Sequence, residues 1–355
     1  MTKYGVDWEK VKARHSAFWR GELEGACLST VTSPKDGAVW GHFPYPQTTE
    51  DRIKWWTDAE QIIRRYRDGF QGTYFAGDSF PLLINDLGPA GHAGFFKGAK
   101  PRFEGSIWYE PTLENYEDLI FDPDSFMYRK NVELAKAFAE DAKGEYIVAM
   151  PDAVGAGDVL SHLRGPDQLM FDFIDEPEAV HKALRTVQSV WENIVQTVHD
   201  VVKDNNSGGG CVGWLSTWAP GKHVQLQCDL SVMMSPAMFE EFLVYELEAQ
   251  SQFADYSLYH FDGEQQVRFL PYLLAVKGIQ AIQWTNVAGQ KAVTEYIPVL
   301  QQIQQAGKGL ILHCSPDEIP VLLENLDARL LHLATWAQNQ QEADDIVKLI
   351  ERESR

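Results

Sequence analysis

The feature that most constrains the fold is a pattern that occurs three times in the second half of the chain. In each copy a short apolar segment ends in polar side chains and is followed by a predicted helix. The segments span residues 256–262, 279–284 and 309–314. In the first, His260 and Asp262 are two residues apart, so on a strand both side chains point to the same face. Strands that carry functional groups at their carboxyl ends, each followed by a helix, are typical of the catalytic face of a β/α barrel.

Candidate strands and helices alternate along most of the chain, which predicts a parallel sheet. Eight parallel strands favour closure, so we predict an α/β fold, a single (β/α)8 TIM barrel over residues 1–355, with an N-terminal helical segment at 1–70 packed on it. Within that segment, helices are predicted at 5–25 and 49–70. The stretch from about residue 77 to about residue 125 is rich in Gly, Pro and aromatic residues and is interpreted as long loops over the carboxyl-terminal face. The candidate strands lie near residues 28, 73, 146, 211, 256, 280, 309 and 330.

Composition argues against several classes of partner. The 355 residues carry a formal net charge of −20 at pH 7, and binding to nucleic acid or to an anionic membrane surface would require clustered Lys and Arg. The four cysteines are far apart and form no Cys-x-x-Cys pair, which is typical of a reducing compartment. No apolar run approaches the roughly 20 residues of a membrane span, and no signal peptide is evident. We therefore expect a cytoplasmic protein.

His260 and Asp262 are the leading catalytic candidates, and three interpretations remain open for them. Both could ligate zinc or another divalent metal, because neutral imidazole and carboxylate suit such ions. Alternatively, Asp262 orients His260, or acts alone, in proton transfer. The third interpretation is structural: His260 bonds a carbonyl group and Asp262 caps a helix. His313 ends a later strand and is a candidate third metal ligand, whereas nothing in the sequence around Cys314 lowers its thiol pKa.

Several carboxylates follow predicted strands, where barrel sites form. Asp229 lies in such a loop and is a candidate catalytic residue, able to hydrogen-bond a substrate hydroxyl or amine or to brace the loop. Asp78 and Asp158 occupy similar positions and are candidates for substrate binding, and Asp152 lies in a further loop of this kind. Asp is also a common turn and cap residue, which is the structural alternative for each of them.

Three further side chains complete the predicted substrate site. Gln283 ends the second of the three segments and is a candidate hydrogen-bonding group. Trp284 and Trp336 lie at or just past predicted strand ends, where large aromatic side chains can wall an apolar pocket.

Taken together, these segments resemble the uroporphyrinogen decarboxylase superfamily, a (β/α)8 family that also contains zinc- and corrinoid-linked methyltransferases. The Ser-Pro-x-x-Phe-Glu-Glu-Phe helix followed by a His-containing strand is fairly specific, and weaker matches extend over most of the chain from about residue 70. The residues that carry the resemblance are Gly157-Asp158, Leu163-Arg164-Gly165-Pro166, Asp175-Glu176-Pro177-Glu178, Asp229, Met234-Ser235-Pro236-Ala237-Met238-Phe239-Glu240-Glu241-Phe242 and His260-Phe261-Asp262-Gly263.

The resemblance implies a metal site that this sequence has altered. In the methyltransferase branch, the strand that matches residues 256–262 carries His-x-Cys, and a later cysteine completes a zinc site that activates a thiol acceptor. Here His260 matches, but Asp262 stands where cysteine is expected, and no cysteine follows Cys314. A thiolate-rich zinc site is therefore absent, while a harder site of His260, Asp262 and His313 remains open.

The resemblance also implies the function that we expect. This is a methyltransferase that moves a methyl group between a small substrate and a corrinoid protein or other methyl carrier. The alternatives are a decarboxylase-type enzyme that acts on an acid smaller than uroporphyrinogen, and a non-catalytic protein that binds a corrinoid or another ligand. In the decarboxylase branch an arginine-rich amino-terminal segment binds the substrate carboxylates, and residues 1–45 lack it. Implied cofactors are zinc or another divalent metal and a corrinoid carried by a partner protein; a homodimer is a further possibility.

Overall fold

The computed structural model describes residues 2–354. The β-strands of this part of the chain are β1 Leu28–Pro34, β2 Thr73–Gly77, β3 Leu82–Leu83, β4 Lys100–Phe103, β5 Ile107–Glu110, β6 Ile147–Val148, β7 Gly210–Val212, β8 Thr217–Ala219, β9 His223–Leu226, β10 Tyr256–Phe261, β11 Ala281–Trp284, β12 Gly309–His313 and β13 Leu331–Trp336. Its α-helices are α1 Trp8–Trp19, α2 Thr49–Thr57, α3 Ala59–Gly72, α4 Phe126–Ala142, α5 Ala156–Arg164, α6 Pro166–Asp175, α7 Pro177–Val202, α8 Pro236–Phe242, α9 Val244–Phe253, α10 Leu270–Ala275, α11 Ile297–Gln305, α12 Ile319–Asn325 and α13 Gln340–Glu353.

Capping residues set the bounds of the amino-terminal helices. Asp7 caps α1 by accepting a hydrogen bond from the Lys10 amide, and Gly21 ends the helical turn with φ +65°. The predicted helix at 49–70 is two helices. Asp58 interrupts it with an extended backbone (φ −96°, ψ 110°), and its side chain accepts from the Gln61 amide to start α3.

One seven-stranded sheet forms the centre of the fold, in the order β2-β1-β13-β12-β11-β10-β9. The strands from β1 to β9 in this order pair in parallel, whereas β2 is antiparallel to β1. The three segments that constrained the fold prediction are the neighbouring strands β10, β11 and β12. Their carboxyl ends therefore lie along one edge of the sheet, as the alternation of strands and helices predicted.

The predicted closure into eight parallel strands is wrong. The segment near residue 73 runs antiparallel along the edge of β1 and occupies the place where a parallel neighbour would close the ring. The segments near 146 and 211 belong to two-stranded sheets, β3 with β6 and β7 with β8, while β9 joins the main sheet instead. The Met150 amide still bonds the Cys211 carbonyl at 2.8 Å, so the chain follows a barrel-like course with an open main sheet.

The predicted long loops between residues 77 and 125 contain short regular elements. β3 pairs with β6, β4 and β5 form an antiparallel hairpin, and two 3₁₀ turns lie at Gly91–Phe95 and Tyr116–Asp118. These elements provide hydrogen-bond partners for much of the backbone of this segment, which is longer than structureless loops in compact domains usually are.

Helix α7 provides one wall of the main core. Its buried stripe includes Val187, Trp191, Ile194 and Val198, at the three- and four-residue spacing that one helix face requires. The Trp191 indole donates to the Ala153 carbonyl at 2.9 Å, so this buried aromatic residue is also satisfied as a donor. No helix in residues 2–354 combines the length and apolar character that crossing a membrane requires.

Candidate active site

His260 lies near the carboxyl end of β10, where its side chain is buried. It is paired in register with Gln283 of β11, and His260 Nδ1 is 2.6 Å from Gln283 Oε1. The Gln283 amide nitrogen donates to the Trp284 carbonyl at 2.8 Å, which turns Oε1 towards the imidazole. Nδ1 therefore carries the proton in the neutral ring. Nε2 keeps its lone pair, available to accept a proton or bind an ion.

Asp229 begins the 3₁₀ turn that follows β9, and it lies close to the two residues that the sequence paired. Burial raises the pKa of Asp229; the Asp262 charge raises it further, and His260 opposes the rise. Gln227 Nε2 donates to Asp229 Oδ2 at 3.3 Å. The three predicted catalytic residues therefore form one electrostatically coupled group at the carboxyl ends of β9 and β10.

Asp158 holds the backbone turn that carries Asp229. It lies in the first turn of α5, where a carboxylate interacts favourably with the helix dipole. Its two oxygens accept from the backbone amides of Asp229 and Leu230 at 3.1 and 2.9 Å. Burial, followed by the Asp229 charge, holds the pKa of Asp158 well above its usual range. With both oxygens bound to the Asp229 turn, Asp158 holds the turn in place; the sequence had predicted a substrate contact.

A row of amides extends the polar cluster across β9. Gln225 bonds the Asp152 carboxyl group, accepts from the Trp214 indole at 2.6 Å and donates to Gln227 Oε1 at 3.2 Å. The sequence prediction missed Gln225 and Gln227, although the signal is present. Polar residues occupy every second position from 223 to 229, the period of one strand face.

Burial dominates the electrostatics of the cluster. It raises the pKa of Asp152 to about 7, with Asp86 and Asp229 adding to the rise. Burial also raises the pKa of Glu246 to about 7 and raises that of Asp86. Among residues 2–354, no Lys or Arg forms an ion pair with any of these carboxyl groups or with Asp158 or Asp229. Carboxyl groups that keep their protons near neutral pH are suited to act as general acids.

A groove runs over the same edge of the sheet, formed by three adjoining cavities of about 580, 510 and 240 Å³. The first two share Phe80 and Trp336 in their walls, and the last two share Arg65 and Tyr66. Trp214 lines the middle cavity, and its ring packs edge-on against the His260 imidazole at 4.8 Å between centroids. His260 itself lines none of the three cavities. The Trp214 ring lies between His260 and the middle cavity.

His313 and Cys314 line the cavity of about 580 Å³, the largest of the three that form the groove. Burial, and secondarily His260, lowers the pKa of His313, which places the two imidazoles near each other. Burial raises the pKa of the Cys314 thiol to about 12, so the thiol stays protonated. Within residues 2–354, no three His, Cys, Asp or Glu side chains are arranged to hold a metal ion. His260, Asp262 and His313 therefore do not form a single three-ligand set in this structure.

The two predicted pocket tryptophans have different positions. Trp336 is 52% exposed and lines both larger cavities. Trp284 is 1% exposed and packs against Phe261 and Tyr296 at 5.2 and 4.8 Å between centroids. Trp284 lines none of the three cavities, because Gln283 points to the His260 side of the sheet and the next residue must point away from it. Its role in a pocket wall stays a prediction.

Asp78 lies at the opposite end of the sheet from the other candidates. The antiparallel course of β2 carries it to the start of β1, where its carboxylate accepts from the Ser29 amide at 2.9 Å and pairs with Arg14 at 2.6 Å. The predicted position of Asp78 beside the other candidates is wrong, while its substrate-binding role stays an untested prediction. Its side chain fastens α1 to β1, at the amino ends of the parallel strands.

Comparison with known proteins adds a likeness of fold. Neither a family model nor a curated protein sequence matches the chain. The solved structure of a methyltransferase from Methanosarcina mazei superposes with a TM-score of 0.61 and 14% identity, and the match covers 97% of this chain and 98% of that chain. The two chains thus share a fold over almost their full lengths, and a function for this chain must be argued from its own site.

Proposed function

We propose that this protein is a methyltransferase that moves a methyl group between a small substrate and a corrinoid protein or other methyl carrier. The observation that carries the proposal is the coupled group of His260, Asp229 and Asp262, at the strand ends where β/α proteins place their sites. The full-length fold likeness to a protein named as a methyltransferase supports it.

Methyl transfer to a protonated acceptor requires removal of one proton. In the proposed step, the acceptor heteroatom attacks the methyl carbon, the bond from that carbon to the donor breaks, and the electron pair leaves with the donor. His260 Nε2 takes the acceptor proton, while Gln283 holds the ring in the tautomer that can accept it. In the reverse direction, the protonated His260 ring returns the proton to the departing heteroatom, which makes that atom a better leaving group, and the neighbouring Asp229 carboxyl group stabilises the charge on the ring.

Metal binding remains a separate proposal. His260 Nε2 and the Asp262 carboxylate would be the protein ligands, because imidazole and carboxylate suit zinc and similar ions. These two residues fall short of the three protein ligands of a typical catalytic zinc site, so no step is assigned to the metal. Elemental analysis of the purified protein tests the proposal. A stoichiometric metal that is lost in His260→Ala would support it, and an unchanged metal content in that variant would contradict it.

A decarboxylase-type reaction on a small acid is the second candidate, and Asp152 favours it. Loss of CO2 from a carbon acid leaves a carbanion that must be protonated, and a buried carboxyl group with a pKa of about 7 is a suitable proton donor. Its product, CO2, is directly measurable in the same assays.

The experiment is a methyl-transfer assay with methylcobalamin as the donor and 2-mercaptoethanol, 3-mercaptopropionate and homocysteine as acceptors. We expect loss of the methylcobalamin absorbance and formation of the methyl thioether, detected by mass spectrometry. His260→Ala should slow the reaction about 100-fold or more, the scale of a lost general base. His181→Ala is the matched control, because His181 is a half-buried histidine of α7 that pairs with Glu241 away from the strand ends.

Two results would contradict the proposal. If the wild-type protein transfers no methyl group to any acceptor but releases CO2 from small carboxylic acids, the decarboxylase is favoured. If His260→Ala and Asp262→Ala bind ligand as the wild type does and lose no function, the protein is a binding module.

A further inference from the structure

Lys308 lies immediately before β12, at the amino ends of the parallel strands, and its side chain is buried. Its Nζ atom donates to the carbonyl groups of Val276 and Ile279 at 2.9 and 2.6 Å. Burial lowers its pKa, and no carboxylate in residues 2–354 opposes that fall. Lysine is rarely buried without an anionic partner, and one of its three N–H groups has no acceptor here. The charge of Lys308 is therefore unexplained by the protein alone.

A cavity of about 360 Å³ adjoins Lys308, between the end of α1, the end of α10 and the loop that precedes β12. The residues that line it include the three cations Arg20, Lys277 and Lys308, and no Asp or Glu. The chain as a whole has 51 acidic and 31 basic residues, so this cavity has the opposite charge balance. Such a concentration of positive charge attracts anions.

Each of the three cations keeps a free donor. Lys277 belongs to the turn 276–279, whose carbonyl groups bind the Lys308 ammonium group, so these two lysines share one turn. Lys277 is exposed and pairs with no carboxylate in residues 2–354. Arg20 donates from Nε to Glu22 at 2.5 Å, and this bond leaves both of its terminal nitrogens free. A ligand in the cavity can thus accept hydrogen bonds from two sides.

Close packing of α1 on the loop before β12 brings Arg20 to the same cavity as the lysines. Gly309 makes this approach possible, because a Cβ atom there would lie 2.8 Å from Phe18 Cζ. The cavity volume is within the range of about 300 to 1,000 Å³ that is typical of small-molecule sites. It exceeds the volume of a single oxyanion, so there is room for the molecule that carries one.

We propose that this cavity is a binding site for a small phosphate monoester, with Lys308, Lys277 and Arg20 around the phosphate group. A phosphate monoester carries a charge of about −1.5 to −2 and three acceptor oxygens, which match three cations on separate chain segments better than a carboxylate does. The site lies at the end of the strands opposite to His260, so it does not rest on the proposed methyl transfer. Its ligand is an additional small molecule and not the methyl donor or acceptor.

Isothermal titration of the purified full chain with glucose 6-phosphate tests the site. Inorganic phosphate is the probe for the anion alone, and glucose is the uncharged probe. We expect saturable binding of glucose 6-phosphate, weaker binding of inorganic phosphate and none of glucose. Lys308→Met keeps the length of the side chain and should weaken binding about tenfold to 100-fold, the scale of a lost charged hydrogen bond.

Lys277→Gln is the second variant, because an exposed substitution leaves the protein folded if Lys308→Met does not; it should weaken binding about tenfold. Lys182→Gln is the matched control, because Lys182 is an exposed lysine of α7 that does not line the cavity, and its affinity should equal that of the wild type. His260→Ala should also bind glucose 6-phosphate as the wild type does, whatever happens to methyl transfer.

Three results would overturn the proposal: no binding of either phosphate with a Kd below about 10 mM, equal binding of glucose and glucose 6-phosphate, or wild-type affinity in a folded Lys277→Gln or Lys308→Met variant. Binding of inorganic phosphate without binding of glucose 6-phosphate would overturn the ester as the ligand. Loss of methyl transfer in every assay, with phosphate binding intact, would end the proposed function and leave this site standing.

Discussion

The amino and carboxyl ends of the parallel strands both bury ionisable groups, but they provide those groups with different partners. At the amino ends, His15, His223 and His332 are fully buried, and each has a hydrogen-bond partner. Burial lowers the pKa of each of them, so all three are neutral near pH 7. Asp78 is also buried here, and it is paired with Arg14. Lys308, at the start of β12, is buried without an acidic partner, and its Nζ donates to the Val276 and Ile279 carbonyl groups at 2.9 and 2.6 Å.

At the carboxyl ends, the buried groups are carboxyl groups without counter-ions. Asp152, Asp158 and Asp229 have pKa values raised by burial, and Asp229 raises those of the other two further. Their partners are amides and backbone N–H groups. Bringing like charges together in a desolvated place opposes folding.

The comparison indicates that the amino ends of the strands contribute to stability and the carboxyl ends to function. The three histidines and Asp78 at the amino end each have a hydrogen-bond or ion-pair partner, although His332 Nδ1 has none, and α1 packs over them. Groups at the carboxyl end are held in an unfavourable state by the rest of the fold, which is typical of functional sites. Mutations at the amino end should therefore change stability, and mutations at the carboxyl end should change activity.

The largest effect is expected for Asp78→Asn at the amino end. It leaves the Arg14 guanidinium group without its charged partner, and breaking such a buried pair costs about 3 to 5 kcal/mol of unfolding free energy. Urea denaturation measures the loss, while turnover per folded molecule should stay at the wild-type value. Glu9→Gln is the control, because the exposed Glu9–Lys12 pair contributes less than about 1 kcal/mol. A fall in turnover without a fall in stability would return Asp78 to the substrate site.

The converse is expected for Asp229→Asn at the carboxyl end. Asparagine keeps the size of the side chain but removes the negative charge that stabilises the protonated His260 ring, so methyl transfer should fall about 100-fold or more. The unfolding free energy at pH 8 should stay unchanged or rise, because one member of the like-charged cluster is removed. Kinetics and urea denaturation on the same preparation measure both quantities. Wild-type turnover combined with a large loss of stability would reverse the assignment of the two ends.

The pH dependence of stability should distinguish the ends by its sign. Burial lowers the pKa of His223 to about 3, whereas an unfolded histidine titrates near 6.5. Between these values the unfolded state binds one more proton, so the unfolding free energy decreases by about 1.4 kcal/mol for each pH unit below 6.5. Asp152, with its folded pKa of about 7, contributes the opposite slope, a loss of stability as pH rises from about 4 to 7.

His223→Gln should therefore reduce the acid-side slope of the wild type by about that amount, whatever it does to stability at pH 7. The measurement is a series of urea titrations between pH 4 and 7.5. His181→Gln is the control for the substitution itself, because His181 is a histidine of α7 that lies beside Glu241, away from the sheet. An unchanged slope in His223→Gln would mean that this histidine is already protonated in the folded protein.

Much of the fold could be predicted from local pattern. Residues 256–262, 279–284 and 309–314 are strands because short apolar runs flanked by helices leave few alternatives, and all three are parallel neighbours. Closure could not be predicted, because the antiparallel pairing of residues 73–77 with β1 depends on contacts distant in sequence. The position of Asp78 failed with it, since the direction of β2 decides the end of the sheet at which that residue lies.

The proximity of candidate residues was predictable where neighbouring strands carried them. His260, Asp262 and Gln283 could be placed at one end of the sheet because alternation along a strand fixes the face of each side chain; their roles stay predictions. The same rule, applied strictly, would have turned Trp284 outwards and would have found Gln225 and Gln227.

Gln280 and Gln283 of the segment 279–284 allow the two ends of the sheet to be compared with the same residue type, since one lies at each end. Gln283 Oε1 holds the proton of His260 on Nδ1, whereas Gln280 Oε1 accepts from the Ser257 amide at 2.6 Å at the start of β10. In Gln283→Leu, Thr285 Oγ1, 3.2 Å from Nδ1, is the remaining partner of the ring. We expect kcat to fall about tenfold, the scale of one hydrogen bond, and the pH–rate profile to shift, with little change in KM.

Gln280→Leu should instead lower the unfolding free energy by about 1 to 3 kcal/mol, because it leaves a buried backbone donor unpaired, and should keep kcat and its pH profile. The pair of variants thus separates a residue that acts through an imidazole from one that supports a strand. If Gln283→Leu loses stability but keeps the wild-type pH–rate profile, the hydrogen bond from Gln283 does not determine which ring nitrogen of His260 carries the proton. The proton-accepting role of Nε2 then loses its structural basis, since either ring nitrogen would be equally able to carry the proton.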